Sequence, residues 1–269
     1  MTKTDRIFAG SIPAIYDRYL RPLIFEPFAI DLAHRLVDLG NGSLLEIAAG
    51  TGVLTRALHR ILPDSVAITA TDLNQPMLDF AAVQLDAPSI VWRQADALNL
   101  PFADGVFDVV VCQFGVMFFP DKPAAYRESL RVLKPGGKFV FNAWDSIEEN
   151  EVTHAVSEGV AAIFPKDPPQ FLARTPHGYH NTDQIKRDLQ SAGFSQIMAE
   201  TAQKRSRAPA CHDPAIGFCQ GTPLRNEIEG RAPELLVEAT ESAAAAVRER
   251  FGDGPVDGKM QAHIVIAKL

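Results

Sequence analysis

The stretch Leu44-Leu45-Glu46-Ile47-Ala48-Ala49-Gly50-Thr51-Gly52-Val53-Leu54-Thr55 decides the fold. An apolar run ends in small residues and two glycines one position apart, and a periodic apolar segment follows at once. This pattern predicts a buried strand over about 43–48, a tight turn, and a helix from Val53 to about Ile61. Glycine lets a backbone turn sharply and lets a ligand approach the main chain, while the helix behind the turn offers unpaired N–H groups. A bare Gly-x-Gly marks a plain turn more often than a cofactor site, so the flanking chain has to decide.

Working outward, the alternation repeats. Strands are predicted at Val66–Thr71, closing at Asp72, at Ile90–Trp92, at Phe107–Cys112 and at Lys138–Trp144. Helices are predicted at Asn74–Leu85, with Pro76 in the first turn, and at Pro123–Leu133, stopped by Lys134-Pro135-Gly136-Gly137. Short connections between apolar strand runs describe an open parallel sheet with helices on both faces.

Upstream, the spacing predicts a short amphipathic helix over 11–21 and a second over Phe25–Leu39, ended by Gly40-Asn41-Gly42. Downstream, residues 148–164 read as a helix and 165–181 as a proline- and aromatic-rich loop. Thr182 is the expected N-cap of a helix to Ala192, closed by Gly193. Phe194 to about Lys204 reads as a strand, 211–254 as mostly helical, and Met260–Leu269 as a closing strand. Leu235, Ala239, Ala243, Val247 and Phe251 form a stripe that suits core packing better than a partner site.

The chain has 269 residues, 46% of them hydrophobic, enough for one domain with a large core. A net charge of −7 and a pI near 5.5 argue against a nucleic-acid backbone as the main partner. Cys112, Cys211 and Cys219 match neither a paired framework nor zinc spacing, which points to a reducing, cytoplasmic setting. Met1 to Gly10 lacks the features of a signal peptide, and no apolar run approaches the length of a membrane span, so no stable membrane insertion is expected.

Three features follow consecutive predicted strands: the Gly50-Thr51-Gly52 turn after the first, Asp72 after the second and Asp96 after the third. An acid at Asp72 can accept from ribose hydroxyls, and one at Asp96 from an adenine amine. Taken singly each acid is better explained as a cap or turn former. Together they fall on one edge of the sheet, where open parallel sheets bind ligands.

Nicotinamide and flavin enzymes use such an edge with a Gly-x-Gly-x-x-Gly/Ala fingerprint, but here the last position is Thr55. The set Leu45–Gly52, Thr71-Asp72-Leu73-Asn74, Ala95–Phe102, Phe107–Gly115 and Leu133–Gly137 instead resembles the S-adenosylmethionine (SAM)-dependent class I methyltransferases. Within them it is similar to the small-molecule branch that includes the ubiquinone/menaquinone-type enzymes. The resemblance is strong over about 40–145 and looser toward the ends. It implies a seven-stranded, mostly parallel Rossmann-like sheet with an antiparallel last strand, and helical additions at the N-terminus and between the last two strands. Residues 1–40 would form a helical lid, 41–147 the SAM-binding core, and 148–269 the substrate-side elements and closing strands of a single domain.

By the same resemblance, Glu46, Ala48 and the Gly50-Thr51-Gly52 backbone would hold the methionine part of SAM, and Asp72 the ribose. Leu73 and Met77 would pack on adenine, with plain core packing as the alternative. Asp96 and Ala97 would read the adenine edge, and Gln113 would lie near the methionine or the methyl.

Methyl transfer is an in-line displacement that asks mainly for alignment and desolvation, so a general base is optional. The acceptor-side candidates are Tyr16, Tyr19, Phe118, Phe119, Trp144, His154, and the His177-Gly178-Tyr179-His180 loop, each of which also suits a packing or rim role. No partner cluster supports a metal at His177 and His180. Lys204, Arg205 and Arg207 form a basic patch, either a solvated strand end or an anchor for an anionic group. The expected function is methylation of a small, partly apolar acceptor to give S-adenosylhomocysteine (SAH). A non-catalytic SAM-binding sensor or scaffold is the alternative, and an NAD-type oxidoreductase the weaker one. The helical insert would border the substrate cavity or form an interface, such as a homodimer's.

Overall fold

Seven strands form one sheet: β1 (Gly42–Ile47), β2 (Val66–Asp72), β3 (Ile90–Gln94), β4 (Phe107–Gln113), β5 (Leu133–Trp144), β6 (Gln196–Ala208) and β7 (Val256–Lys268). Their order in this computed structural model is β3-β2-β1-β4-β5-β7-β6. The structure describes Asp5, Phe8 and residues 10–269; the rest of the expected lid segment lies outside the described residues. β1 to β5 run parallel, β7 is antiparallel to β5, and β6 is antiparallel to β7. β1 and β4 are almost wholly buried, as strands covered on both sides must be.

The flanking helices are α1 (Ile12–Ile15), α2 (Glu26–His34), α3 (Val53–Ile61), α4 (Gln75–Gln84), α5 (Lys122–Val132), α6 (Glu151–Ile163), α7 (Phe171–Arg174), α8 (Thr182–Ser191), α9 (His212–Gly221), α10 (Leu224–Arg231) and α11 (Leu236–Phe251).

Three details differ from the sequence expectations. The two N-terminal helices are one continuous helical path from Ile12 to His34, with a wider helical turn over Tyr16–Phe25. There Pro22 has no N–H for an ordinary helical ladder, and the Glu26 N–H reaches back to the Arg21 carbonyl. The cap of α8 is Asn181, whose side chain accepts from the Asp183 and Gln184 N–H groups, one residue before Thr182. β5 starts at Leu133, because the chain is already extended there and pairs with Phe107 before an irregularity resets the register. The 211–254 segment is mostly helical as expected, divided into the three helices α9, α10 and α11.

β6 and β7 pair along their whole length, from Gln196–Lys268 to Ala208–Val256. The helices between them therefore form an insert stacked on the sheet. α6 and α11 meet where a Cβ on Gly159 would lie 2.6 Å from the Ala243 Cα, and the Ser242 hydroxyl donates to the Gly159 carbonyl at 2.7 Å. Ala239, Ala243 and Val247 are fully buried, so the stripe is core. The basic patch is neutralised locally: Lys204 pairs with Asp31 at 2.5 Å, and Arg205 and Arg207 with Asp257. No helix of the described residues is long and apolar enough to cross a membrane.

Candidate cofactor and acceptor site

The turns after β1, β2, β3 and β4 converge on one edge of the sheet and line a cleft enclosing about 750 Å³, part of it open to solvent. Its walls include Ala48, Gly50, Asp72, Leu73, Met77, Asp96, Ala97 and Gln113. A smaller adjoining pocket is lined by Glu46, Thr51 and Gln113.

The first turn is held in a demanding shape. Ala48 has φ 56° and Gly50 φ 57°, a left-handed conformation that costs a side-chain-bearing residue energy and recurs at functional sites. Gly52, φ 79°, starts α3. A Cβ there would sit 3.1 Å from both the Ala81 Cβ and Trp92, so this glycine seats the turn against α4 and β3 and does not line the cleft.

Asp72 ties the turns together. It is 7% exposed; one carboxylate oxygen accepts from the Gly50 N–H at 2.9 Å and the other from the Asn74 N–H at 2.8 Å. Burial raises its pKa, and these N–H donors oppose the rise. The oxygen facing Asn74 also accepts from its side-chain amide at 3.3 Å, while the one facing Gly50 keeps a further lone pair for a ligand hydroxyl. Asp96 is exposed on the rim, with Oδ1 accepting from the Leu98 N–H at 3.0 Å. Leu73, 41% exposed, projects into the cleft opposite the buried Met77, and an apolar side chain in the open at a cleft wall suits a planar ring.

Glu46 is 1% exposed, and the Thr55 hydroxyl donates to its Oε2 at 2.6 Å. Oε1 is buried with no hydrogen-bond partner, as is the Thr51 hydroxyl. Burial, reinforced by Asp72, pushes the Glu46 carboxyl up to about 8 against the Thr55 bond. An orphaned acid and an orphaned hydroxyl beside one small pocket fit the ammonium and carboxylate of an amino acid.

The β4 turn faces the β1 turn. Phe114 has φ 51°, and a Cβ on Gly115 would lie 2.5 Å from the Ala48 Cβ and 2.7 Å from the Cys112 Sγ. The Phe114 N–H donates to the buried Asn142 side chain at 2.9 Å, and its ring stacks on Trp144 at 3.7 Å. Gln113 donates to the Phe25 carbonyl at 2.8 Å, linking this edge to the N-terminal helical path. That path is also pinned by Arg56, which pairs with Asp17 at 2.6 Å and donates to the Thr51 carbonyl at 2.7 Å.

Beyond the cleft lies an aromatic cavity of about 490 Å³, part of it likewise open to solvent, bounded by Phe8, Phe25, Phe118, Trp144 and His177 among others. Tyr16 lines this cavity, the cleft and the small pocket alike. Burial, then the Asp72 and Asp17 charges, raise its phenol pKa, so it stays a neutral hydroxyl. His177 is 4% exposed with Nδ1 2.7 Å from the Asp145 carbonyl. His154 lies on α6 beside Glu158 at 3.8 Å, and His180 is 4.0 Å from the Asp145 carboxylate; neither lines a cavity here. Tyr19 packs against Gly217, and Tyr179 donates to Asp188 at 2.7 Å.

Sequence reading passed over Thr55 as a partner of Glu46, Asn74 as a donor to Asp72, and Phe8 as a cavity wall. Thr55 was visible only as a mismatch to a dinucleotide fingerprint. Phe8 carries no motif at all.

The sequence profile of the methyltransferase domain family matches residues 45–141. The ubiquinone/menaquinone biosynthesis C-methyltransferase UbiE of Saccharophagus degradans is 31% identical over 186 residues, 64% of this chain and 74% of that protein. The UbiE of Shewanella halifaxensis is 32% identical over 167 residues, and the alignment spans 57% of this chain and 66% of that protein. Among solved structures, a phosphoethanolamine N-methyltransferase of Haemonchus contortus bound to S-adenosylhomocysteine superposes with a TM-score of 0.61 at 15% identity, covering all of this chain and 61% of the other. That likeness reports the fold, and the sequence relatives carry the family. The chain belongs to the SAM-dependent class I methyltransferases.

Proposed function

We propose that the protein transfers the methyl group of SAM, by in-line displacement, to a small, partly apolar acceptor. One observation carries this reading: the sheet-edge cleft and a neighbouring aromatic cavity share the walls Phe8, Tyr16, Phe114 and Phe118. A macromolecular substrate would ask for an open groove, whereas this geometry suits a molecule that enters and is covered.

The bound cofactor supplies a methyl already activated on a positive sulfonium. This chain's residues would do the rest. Glu46 Oε1 would take the ammonium, and Thr51 the carboxylate. Asp72 would accept from the ribose, and Leu73 and Met77 would flank the adenine, with Asp96 and Ala97 at its edge. Gln113 would hold the N-terminal path over the methionine end through Phe25. Tyr16, Phe25 and Phe114 would exclude water where the acceptor meets the methyl, strengthening every electrostatic contact there. Residues 1–40 would act as the lid, with Phe8 over both spaces and Asp5 held by Arg174 at 2.8 Å. The three buried free thiols suit a reducing cytoplasm.

Calorimetry with SAH and with NADH tests the cofactor half: SAH binding in the micromolar range is expected, and NADH binding without SAH binding would overturn it. Methyl-labelled SAM incubated with fractionated small-molecule extracts tests the transfer half. Label is expected in an organic-extractable product. SAH binding with no labelled product from any fraction would point to the sensor or scaffold.

A further inference from the structure

We infer that His177 reads the acceptor: its Nε2 lone pair takes a hydrogen bond from a hydroxyl or N–H group on an otherwise apolar, uncharged molecule seated in the aromatic cavity. The inference rests on the methyl-transfer reading only for the use of that cavity as the acceptor site.

Among the described residues the walls of the cavity carry no charged side chain. A carboxylate, phosphate or ammonium placed there would be stripped of water without a counter-ion, which costs several kcal/mol or more. The acceptor that fits is therefore uncharged over the part enclosed. Among the described residues its polar side chains are Tyr16, Trp144, whose indole N–H can only donate, His177 and Thr222. Thr222 is committed, its hydroxyl donating to the Phe218 carbonyl at 2.6 Å and accepting from the Leu224 N–H at 3.2 Å.

His177 has one nitrogen left. A carbonyl oxygen only accepts, so the 2.7 Å contact with Asp145 fixes the proton on Nδ1. Burial holds the imidazole pKa down to about 4, so the ring is neutral near pH 7 and Nε2 is an acceptor. Nε2 makes no hydrogen bond among the described residues. The ring lies 5.9 Å from Trp144, which itself stacks on Phe114 at the cofactor cleft. His177 thus stands on the wall away from the cleft, where it meets the distal end of the acceptor rather than the atom that is methylated. Tyr16 stands at the near end. An acceptor spanning the two is held by apolar contact and aimed by one hydrogen bond at each end, the arrangement that lets a site reject molecules lacking the donor.

The test uses the full chain and two probes of nearly equal shape, 4-pentylphenol and 4-pentylanisole, titrated with and without saturating SAH. Calorimetry gives affinities, and fluorescence of Trp144 reports occupancy of the cavity. The wild type is expected to bind the phenol about 10-fold more tightly than the ether, the effect of one hydrogen bond to a buried acceptor. His177→Asn keeps an amide N–H for the Asp145 carbonyl but lacks Nε2; it is expected to bind both probes equally, at the wild-type ether affinity. His177→Gln, which can place an oxygen near Nε2, is expected to restore part of the preference. Equal binding of the probes to wild type, a preference that survives in His177→Asn, or failure of both probes to bind overturns the inference. If SAH itself does not bind, the methyl-transfer reading fails instead, and the phenol-to-ether ratio measured without SAH still judges His177. Should His177→Asn not fold, the wild-type ratio alone decides.

Discussion

The cofactor cleft and the aromatic cavity share Tyr16 as a wall, yet they are made of different material. The cleft is built by backbone: four strand-end turns, two of them holding a non-glycine residue at positive φ, with Asp72 accepting from the N–H groups of two turns. The cavity is built by side chains drawn from positions as distant as Phe8 and Thr222. A backbone site demands particular residues at particular spacings, because only some residues tolerate the torsions and close approaches it needs. A side-chain cavity demands bulk and apolarity, which many sequences supply. The first kind of site writes a motif into the chain, and the second does not.

If that contrast is right, small changes at the turns should have large effects on the cofactor and small ones on the cavity. The largest is expected from Gly115→Ala, whose new Cβ would collide with Ala48 and Cys112 across two opposed turns. Overpacking of this kind costs up to about 3 kcal/mol of stability. SAH affinity should fall with it, while 4-pentylphenol affinity changes little. Thermal unfolding plus calorimetry checks both, and a lowered Tm with intact SAH affinity would reduce the Gly115–Ala48 contact to packing alone. Next comes Asp72→Ala, which leaves the Gly50 and Asn74 N–H groups without their acceptor. It should weaken SAH binding by about 2 kcal/mol, near 30-fold. Unchanged affinity would place the ribose elsewhere.

The same contrast explains what was legible in advance. Alternating apolar runs and glycine turns located the five parallel strands within a few residues, because buried strands and tight turns each restrict residue type. Asp72, Asp96 and Gln113 could be placed on one edge because each follows a strand. What could not be read was how side chains pair across that edge. Thr55 lies nine residues from Glu46, and nothing in the sequence says that its hydroxyl faces Oε2. Nor could spacing show that Gly52 packs closely against Ala81 and Trp92. His177 stood out only as one histidine among three candidates. What separates it is a carbonyl from Asp145, contributed 32 residues away, while His154 and His180 remain near the surface beside carboxylates.

Glu46 sharpens the comparison through pH. With its carboxyl at about 8, it is mostly protonated in the ligand-free protein near pH 7. An ammonium-bearing ligand prefers the ionised form, so binding expels a proton. SAH affinity should rise by up to about tenfold per pH unit toward pH 8 and level off above it. Stability runs the other way. The unfolded carboxyl ionises near its ordinary value of 4.5 while the folded one holds its proton to about 8. The ligand-free protein therefore loses stability from this group as pH rises between those values. Glu46→Gln should flatten both trends, giving a ligand-free protein more stable than wild type at pH 8 but a weaker SAH binder. A variant that keeps the pH dependence of SAH affinity would move the titrating group elsewhere.

The smallest effect is expected where the two regions are clasped together. Arg56 follows the glycine turn on α3, and its partner Asp17 lies one residue beyond Tyr16 on the helical path that covers both spaces. The pair is mostly buried, with side chains 22% and 10% exposed, but the path is also held by Leu20, Leu23 and Phe28, which are fully buried. Asp17→Asn keeps an oxygen for the guanidinium and removes the charge, so about 1 kcal/mol is at stake, near fivefold in an equilibrium. Amide hydrogen exchange over residues 12–25 should accelerate by about that factor, and SAH should dissociate faster in proportion, with exchange in β1 and β4 unchanged. Faster exchange without faster SAH release would mean that the path covers the aromatic cavity alone. Unchanged exchange would mean that apolar packing, not the ion pair, holds it over the cofactor edge.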